Sequence, residues 1–144
     1  MSGIVVGIDG STAAHDALAF ALEEAQLRKL PLRIVCSWEV PSIEYAGAAY
    51  VSTPDLSQDA EQHAEDVLAE AAKQVGPDPG IHVETVAIQG HAATVLVEQA
   101  KDATLLVVGS RGRSGLKSIV LGSVSQAVAH HCKCPLTIIP SRHD

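Results

Sequence analysis

Apolar residues recur along this chain with two different periods. Residues 4–8, 32–38, 103–108 and 135–139 are short, nearly unbroken apolar runs rich in Val, Ile and Leu, the pattern of strands buried on both faces. Residues 81–88 form a further strand in which His82 and Glu84 alternate with Ile81 and Val83, so it belongs nearer a sheet edge. Between the strands, apolar positions return every three or four residues. Ala14, Ala17, Leu18, Ala21, Leu22 and Ala25 share one helical face, with Asp16, Glu23, Glu24 and Arg28 opposite. Ser11 is a good N-cap for this helix, and Pro31 marks its stop. Ala60, Ala64, Val67, Leu68, Ala71, Ala72 and Val75 predict a second helix, with Asp59 and Glu61 at its start, broken by the glycines and prolines of residues 76–80. Ala93, Leu96, Val97 and Ala100 predict a third. Val124, Ala127, Val128 and His131 predict a fourth, with His131 packed on its apolar face.

Strand and helix therefore alternate, without internal repeat or low-complexity tract, over a chain of 144 residues. That predicts one domain over residues 1–144, of α/β class, with a single open parallel five-stranded sheet and helices on both faces. Two strand orders suit it, 3-2-1-4-5 and 2-1-3-4-5. The first brings the loops after strands one and four to one crevice at the switch point, where open sheets bind ligands. Pro135 and Pro140 suit the last strand to an edge. Residues 39–56 keep no period and hold Pro41, Gly47, Pro54 and both tyrosines; they read as a loop, either a lid over a ligand or a disordered segment.

Composition narrows the function classes. Hydrophobic residues reach 47% but aromatics only 3%, so the core is built from Ala, Val, Leu and Ile. No apolar run approaches the ~20 residues of a membrane span. The first residues enter a strand without the pattern of a signal peptide, so the expectation is a cytoplasmic protein. A net charge of -7 argues against nucleic acid or an anionic membrane as a partner bound through overall charge. Three cysteines do not suggest a disulfide framework, and Cys36 reads as a small core residue. Cys132 and Cys134 beside His130 and His131 invite a metal reading, but a single pair one residue apart is an awkward zinc site. No metal ligands are assigned.

The chemistry concentrates after the fourth strand. Gly109, two residues, Gly112, nine residues, Gly122 and Ser123 lie between that strand and the last helix, the setting in which backbone amides close around phosphate. Ser123 is placed to cap the helix or to donate a hydroxyl to an anion. Arg111, Arg113 and Lys117 put positive charge in the same loop of an acidic protein, at least one of them facing an anion. No Walker A tripeptide occurs, and the first strand is followed by Gly7-Ile8-Asp9-Gly10-Ser11 in place of a dinucleotide fingerprint.

The glycine spacing resembles the signature of the universal stress protein family, in its ATP-binding branch: glycine, two residues, glycine, nine residues, glycine, then serine or threonine. Residues 9–11 and 134–136 are similar to its patterns at the first and last strands. The resemblance implies the 3-2-1-4-5 sheet and a homodimer paired through the last strands. It implies ATP as the ligand, accompanied by a divalent ion such as Mg2+ in some members. It places Gly7 and Asp9 against the adenosine part, the backbone near Trp38 at adenine, Gly109 and Gly112 at ribose and phosphate, and Gly122, Ser123 and Val124 along the polyphosphate. The leading functional reading is a nonenzymatic, ATP-binding regulator in stress response with an unidentified protein partner. A slow ATPase or phosphotransferase, and an interaction module without nucleotide, stay open. No residue is assigned as catalytic, because no general base is evidently poised for water.

Overall fold

A computed structural model describes residues 3–40, 43–44, 50–51, 54–110 and 121–140. The main sheet is made of β1 (Ile4–Gly7), β2 (Leu32–Trp38), β5 (Val83–Gln89), β6 (Leu105–Gly109) and β7 (Leu136–Ile139), all paired in parallel. Their spatial order is β5-β2-β1-β6-β7, which is 3-2-1-4-5 when these strands are counted along the chain. The apolar runs end up where their composition requires: Ile4, Val5, Val6, Ile34, Val35, Leu106 and Val107 are 0–1% exposed. Burial of such side chains is worth roughly 1.5–3 kcal/mol each.

The period of two divides the core between the sheet's faces. Ile4, Val6, Leu32, Ile34, Cys36, Leu105 and Val107 meet α1 (Thr12–Arg28) and α2 (Pro54–Val75). Val5, Val35, Leu106 and Val108 meet α3 (Ala92–Gln99) and α4 (Ser123–His131). Cys36 is buried, as its place in an apolar strand predicts. β5 and β7 are the edges, in keeping with the alternation at residues 81–84 and with exposed Pro135 and Pro140.

Ser11 caps α1 as expected, its Oγ accepting the Ala14 amide at 3.2 Å. The helix stops one step before Pro31 can act: Lys29 adopts φ 56°, and the Leu30 amide reaches back to the Ala25 carbonyl at 3.0 Å.

Two segments differ from the sequence reading. Within residues 39–56, β3 (Ile43–Glu44) and β4 (Tyr50–Val51) form a small antiparallel ribbon. α2 begins at Pro54, ahead of the expected acidic start at Asp59. Proline suits the first position of a helix, where its missing amide has no partner to lose. Half-buried Leu56, four residues before Ala60, starts the apolar stripe.

Candidate functional site

β1 and β6 lie side by side, and the chain leaves their carboxyl ends in opposite directions: after β1 toward α1 on one face, after β6 toward α4 on the other. This divergence opens a cavity of about 280 Å³ at the switch point. Gly7, Asp9, Gly109, Gly122, Ser123 and Val124, all expected at the site, line it together. Gly112, Arg111, Arg113 and Lys117 lie outside the described residues. Trp38 is described but is not among the lining residues. Its side chain packs with the α1–α2 core, and its carbonyl accepts the Gly90 amide at 2.8 Å. Val35 and Ser37 line the cavity from β2 instead.

Asp9 sits in the turn that leaves β1. Its Oδ1 accepts the Ser11 amide at 3.0 Å, which orients the carboxylate at the head of α1, and Gly10 makes the turn at φ 84°. Asp9 is the sole ionisable side chain among the described lining residues.

The last helix supplies the opposite wall. Gly122, not Ser123, is its N-cap, and no side chain caps it. Ser123 is therefore the first helical residue and is exposed, which corrects the capping role open to it in the sequence. The first-turn amides have no acceptor inside the helix, so the helix presents uncapped N–H groups and the positive end of its dipole at the cavity. Val124, Ala127 and Val128 of the expected face do pack on the core. Ser125 and Val128 are its buried residues, whereas His131 is exposed, which corrects its placement in the core. The packed face comprises 124, 125, 127, 128 and 132, with half-buried Val124, Ala127 and Cys132 flanking the two buried residues.

Ser125 was missed because a serine inside a helix carries no apolar signal. Its Oγ lies 2.9 Å from the Ser110 carbonyl and 3.0 Å from that of Gly122, and it donates to them. The Gly122 amide also donates to the Ser110 carbonyl at 2.7 Å. The end of β6 and the start of α4 are thus pinned together beside the cavity. Only a read-out of the 125/128/132 spacing would have put Ser125 on the packed side.

The glycines of the strand ends have a further cause. A Cβ on Gly109 would stand 3.1 Å from Ala13 Cβ and 3.3 Å from the Ala13 backbone carbon and oxygen. One on Gly7 would stand 2.7 Å from both methyls of Leu96. Glycine here lets α1 and α3 close onto the sheet, so the two residues shape the walls of the cavity as well as its floor.

A second depression, of about 600 Å³, adjoins the first between α1 and α2 and shares Ile8, Asp9, Ser11 and Ala14 with it. No helix among the described residues is long and apolar enough to cross a membrane.

Comparison with known proteins fits this geometry. A universal stress protein of Mycobacterium tuberculosis is 39% identical over 145 residues, covering 95% of this chain and 47% of the relative. The chain thus spans about half the length of the curated relatives it matches. Among solved structures, the universal stress protein UspA from Lactobacillus plantarum superposes with a TM-score of 0.81 at 22% identity, over 96% of this chain and 97% of that one. A universal stress protein in complex with cAMP superposes with a TM-score of 0.70 at 27% identity, over 96% of each chain. The model of the universal stress protein family matches residues 1–140, strands, switch-point cavity and last helix included, and the chain belongs to that family.

Proposed function

We propose that the switch-point cavity binds an adenine nucleotide, ATP foremost, and that the chain is a regulatory nucleotide-binding module of stress response. The observation that carries this reading is the uncapped N-terminus of α4 facing the cavity beside Gly109. It offers phosphate oxygens the amide donors and positive dipole that such groups seek. In this reading Gly122, Ser123 and Val124 line the polyphosphate, Gly112 meets ribose and phosphate, and at least one of Arg111, Arg113 and Lys117 faces the anion. Gly7 and Asp9 lie against the adenosine part, Asp9 accepting from a ribose hydroxyl, and Gly109 meets ribose and phosphate. Adenine lies at the end of β2, against Val35 and Ser37, with Trp38 next in the strand. The complex of a 27% identical structural relative with cAMP supports an adenine nucleotide as the ligand class.

Mg2+ suits this site only as a companion of the nucleotide. No group of three or more His, Cys, Asp or Glu side chains able to hold a metal occurs among the described residues. Mg2+ with a nucleotide is held largely by phosphates and water with one or two carboxylates, and Asp9 is the carboxylate within the described lining. With Asp9 already hydrogen-bonded to the α1 turn, binding is favoured over catalysis.

Thermal shift with ATP, GTP and adenosine, each with magnesium, tests the proposal. ATP at ~100 times its dissociation constant stabilises by about 2.7 kcal/mol, and GTP by less. No shift at millimolar ATP overturns it. Phosphate release at a steady rate from bound ATP would move the protein to the slow-ATPase reading. We further propose that residues 1–144 act as one domain and that two copies pair through β7.

A further inference from the structure

At the other end of α4 from the cavity, Cys132 is the C-cap, and Cys134 follows in the turn to β7. Their sulfurs lie 3.6 Å apart, and neither cysteine is in a disulfide. Cys132 Sγ also lies 3.2 Å from the Cys134 carbonyl, and Cys134 Sγ lies 3.4 Å from that of Pro135, so both side chains turn inward over the same short segment. Both pack against the core beneath α3 and α4 yet remain half-buried, within reach of a small reagent. Cys36, by contrast, is 3% exposed.

We propose that Cys132 and Cys134 are a reversible dithiol–disulfide pair, a modification site oxidised by low-molecular-weight disulfides. Intracellular disulfides of this kind are transient and redox-sensing, not structural. The step is ordinary exchange. The Cys132 thiolate attacks one sulfur of the reagent; a bond forms between them, the reagent's S–S bond breaks, and one reagent thiolate leaves. Cys134 then attacks Cys132 Sγ, its proton passing to solvent base, and the second reagent thiolate is expelled. Two protein thiols are oxidised, and one reagent disulfide is reduced to two thiols.

The order of events follows from the surroundings of Cys134. Its thiol is pushed up to about 11 by burial first, and then by the hydrogen bond and the charge of Cys132. It is therefore a poor first attacker at neutral pH. Once Cys132 is capped as a mixed disulfide, its hydrogen bond and charge no longer oppose the Cys134 thiolate; burial alone still does, and Cys134 resolves the adduct at the short distance the fold sets. A bridge spanning a single intervening residue closes a very small loop and gains little from chain entropy. Such bridges reopen readily, as a switch requires. The bridge would fix the turn between the helix that walls the cavity and the edge strand β7.

The test treats the reduced full chain with glutathione disulfide, quenches with acid and weighs the protein. The expected product is lighter by about 2 Da, two hydrogens, and its thiol titration in denaturant falls from three to the single Cys36. Dithiothreitol restores all three. Cys36→Ser closes like wild type, whereas Cys132→Ser and Cys134→Ser do not lose the two hydrogens. Glutathione adducts that persist on the wild-type chain, a crosslink between chains on a non-reducing gel, or no reaction would each overturn the proposal. So would closure no more favourable in the native chain than in urea, because the fold would then not be what brings the sulfurs together.

Discussion

Two serines two positions apart divide the work at the head of α4. Ser123 is exposed at the first helical position, while Ser125 is 3% exposed and tied to the Ser110 and Gly122 carbonyls. Both carbonyls keep a backbone donor, from Gly122 and Gln126, if the Ser125 hydroxyl is removed. Ser125→Ala should therefore cost about 0.5–1.5 kcal/mol of stability, the worth of a net hydrogen bond, read in a denaturation curve. Ser123→Ala should leave stability within about 0.5 kcal/mol of wild type. If its hydroxyl meets phosphate, that variant loses roughly 1.5–3 kcal/mol of ATP binding, on the order of ten- to a hundredfold in calorimetry. Adenosine, lacking phosphate, should be affected far less. Unchanged ATP affinity would remove Ser123 from the phosphate site. Cys134 supplies a pH dependence with a definite sign. Its thiol holds its proton up to about 11 in the folded chain, above the ordinary value of 9.0, so the folded state binds that proton more tightly than the unfolded one. The stability this contributes is complete below about pH 9 and is lost as pH rises through about 11. Subtracting the stability curve of Cys134→Ala isolates Cys134, with its partner Cys132, from the other groups titrating there. A difference that grows with pH across this window would contradict the assignment.

At the scale of elements, the sequence was most legible where one period ruled. The five main strands and the facing of α1 follow directly from periods of two and three to four. α4 shows where that reading is incomplete. Val124, Ala127 and Val128 pack as their spacing predicts, but with nine residues the helix makes only two and a half turns, too few to fix the edges of that face. His131 falls outside it, and it extends instead to Ser125, whose burial is stabilised by hydrogen bonds rather than by apolar area. α2 failed for the complementary reason: Pro54 reads as a breaker, yet at a first helical position it begins the helix. The glycines of the site were legible as glycines, but their partners were not. That Gly109 faces Ala13 across the α1–β6 contact is a fact of the tertiary structure. Gly109→Ala should push the head of α1 outward by a few tenths of an ångström, because its contacts include backbone that cannot rotate away. Overpacking of this kind costs about 1–3 kcal/mol. Since Asp9 and Ser11 sit in the turn before α1, nucleotide affinity should fall as well. A variant as stable as wild type would show that α1 yields freely at this contact.

For the whole molecule, the order of the sheet was legible as one of two choices, and the chemistry of the two loops pointed to the one observed. Assembly depends on what that order leaves open. β7 pairs with β6 on one side only among the described residues. The Leu106 and Ser110 amides bond to the Pro135 and Ile139 carbonyls, so odd-numbered residues of this stretch face β6. Parallel pairing alternates, which turns the amides and carbonyls of Leu136 and Ile138 to the free edge. A row of unpaired groups beside apolar side chains is a template for a second strand, and two copies of β7 running antiparallel satisfy each other about a twofold axis. The chain should therefore be a dimer by light scattering at micromolar concentration. Ile138→Lys would break it, but the Ile138 side chain also packs on the α3–α4 side of the core, so the lysine disturbs both. Ile138→Pro is the sharper probe, because it deletes the outward amide and keeps an apolar side chain at the position. A monomer with an unchanged far-ultraviolet spectrum and intact ATP binding would assign dimerisation to the β7 backbone. A dimer that survives the proline would place the interface elsewhere, and a wild-type monomer would leave the edge of β7 unpaired in solution.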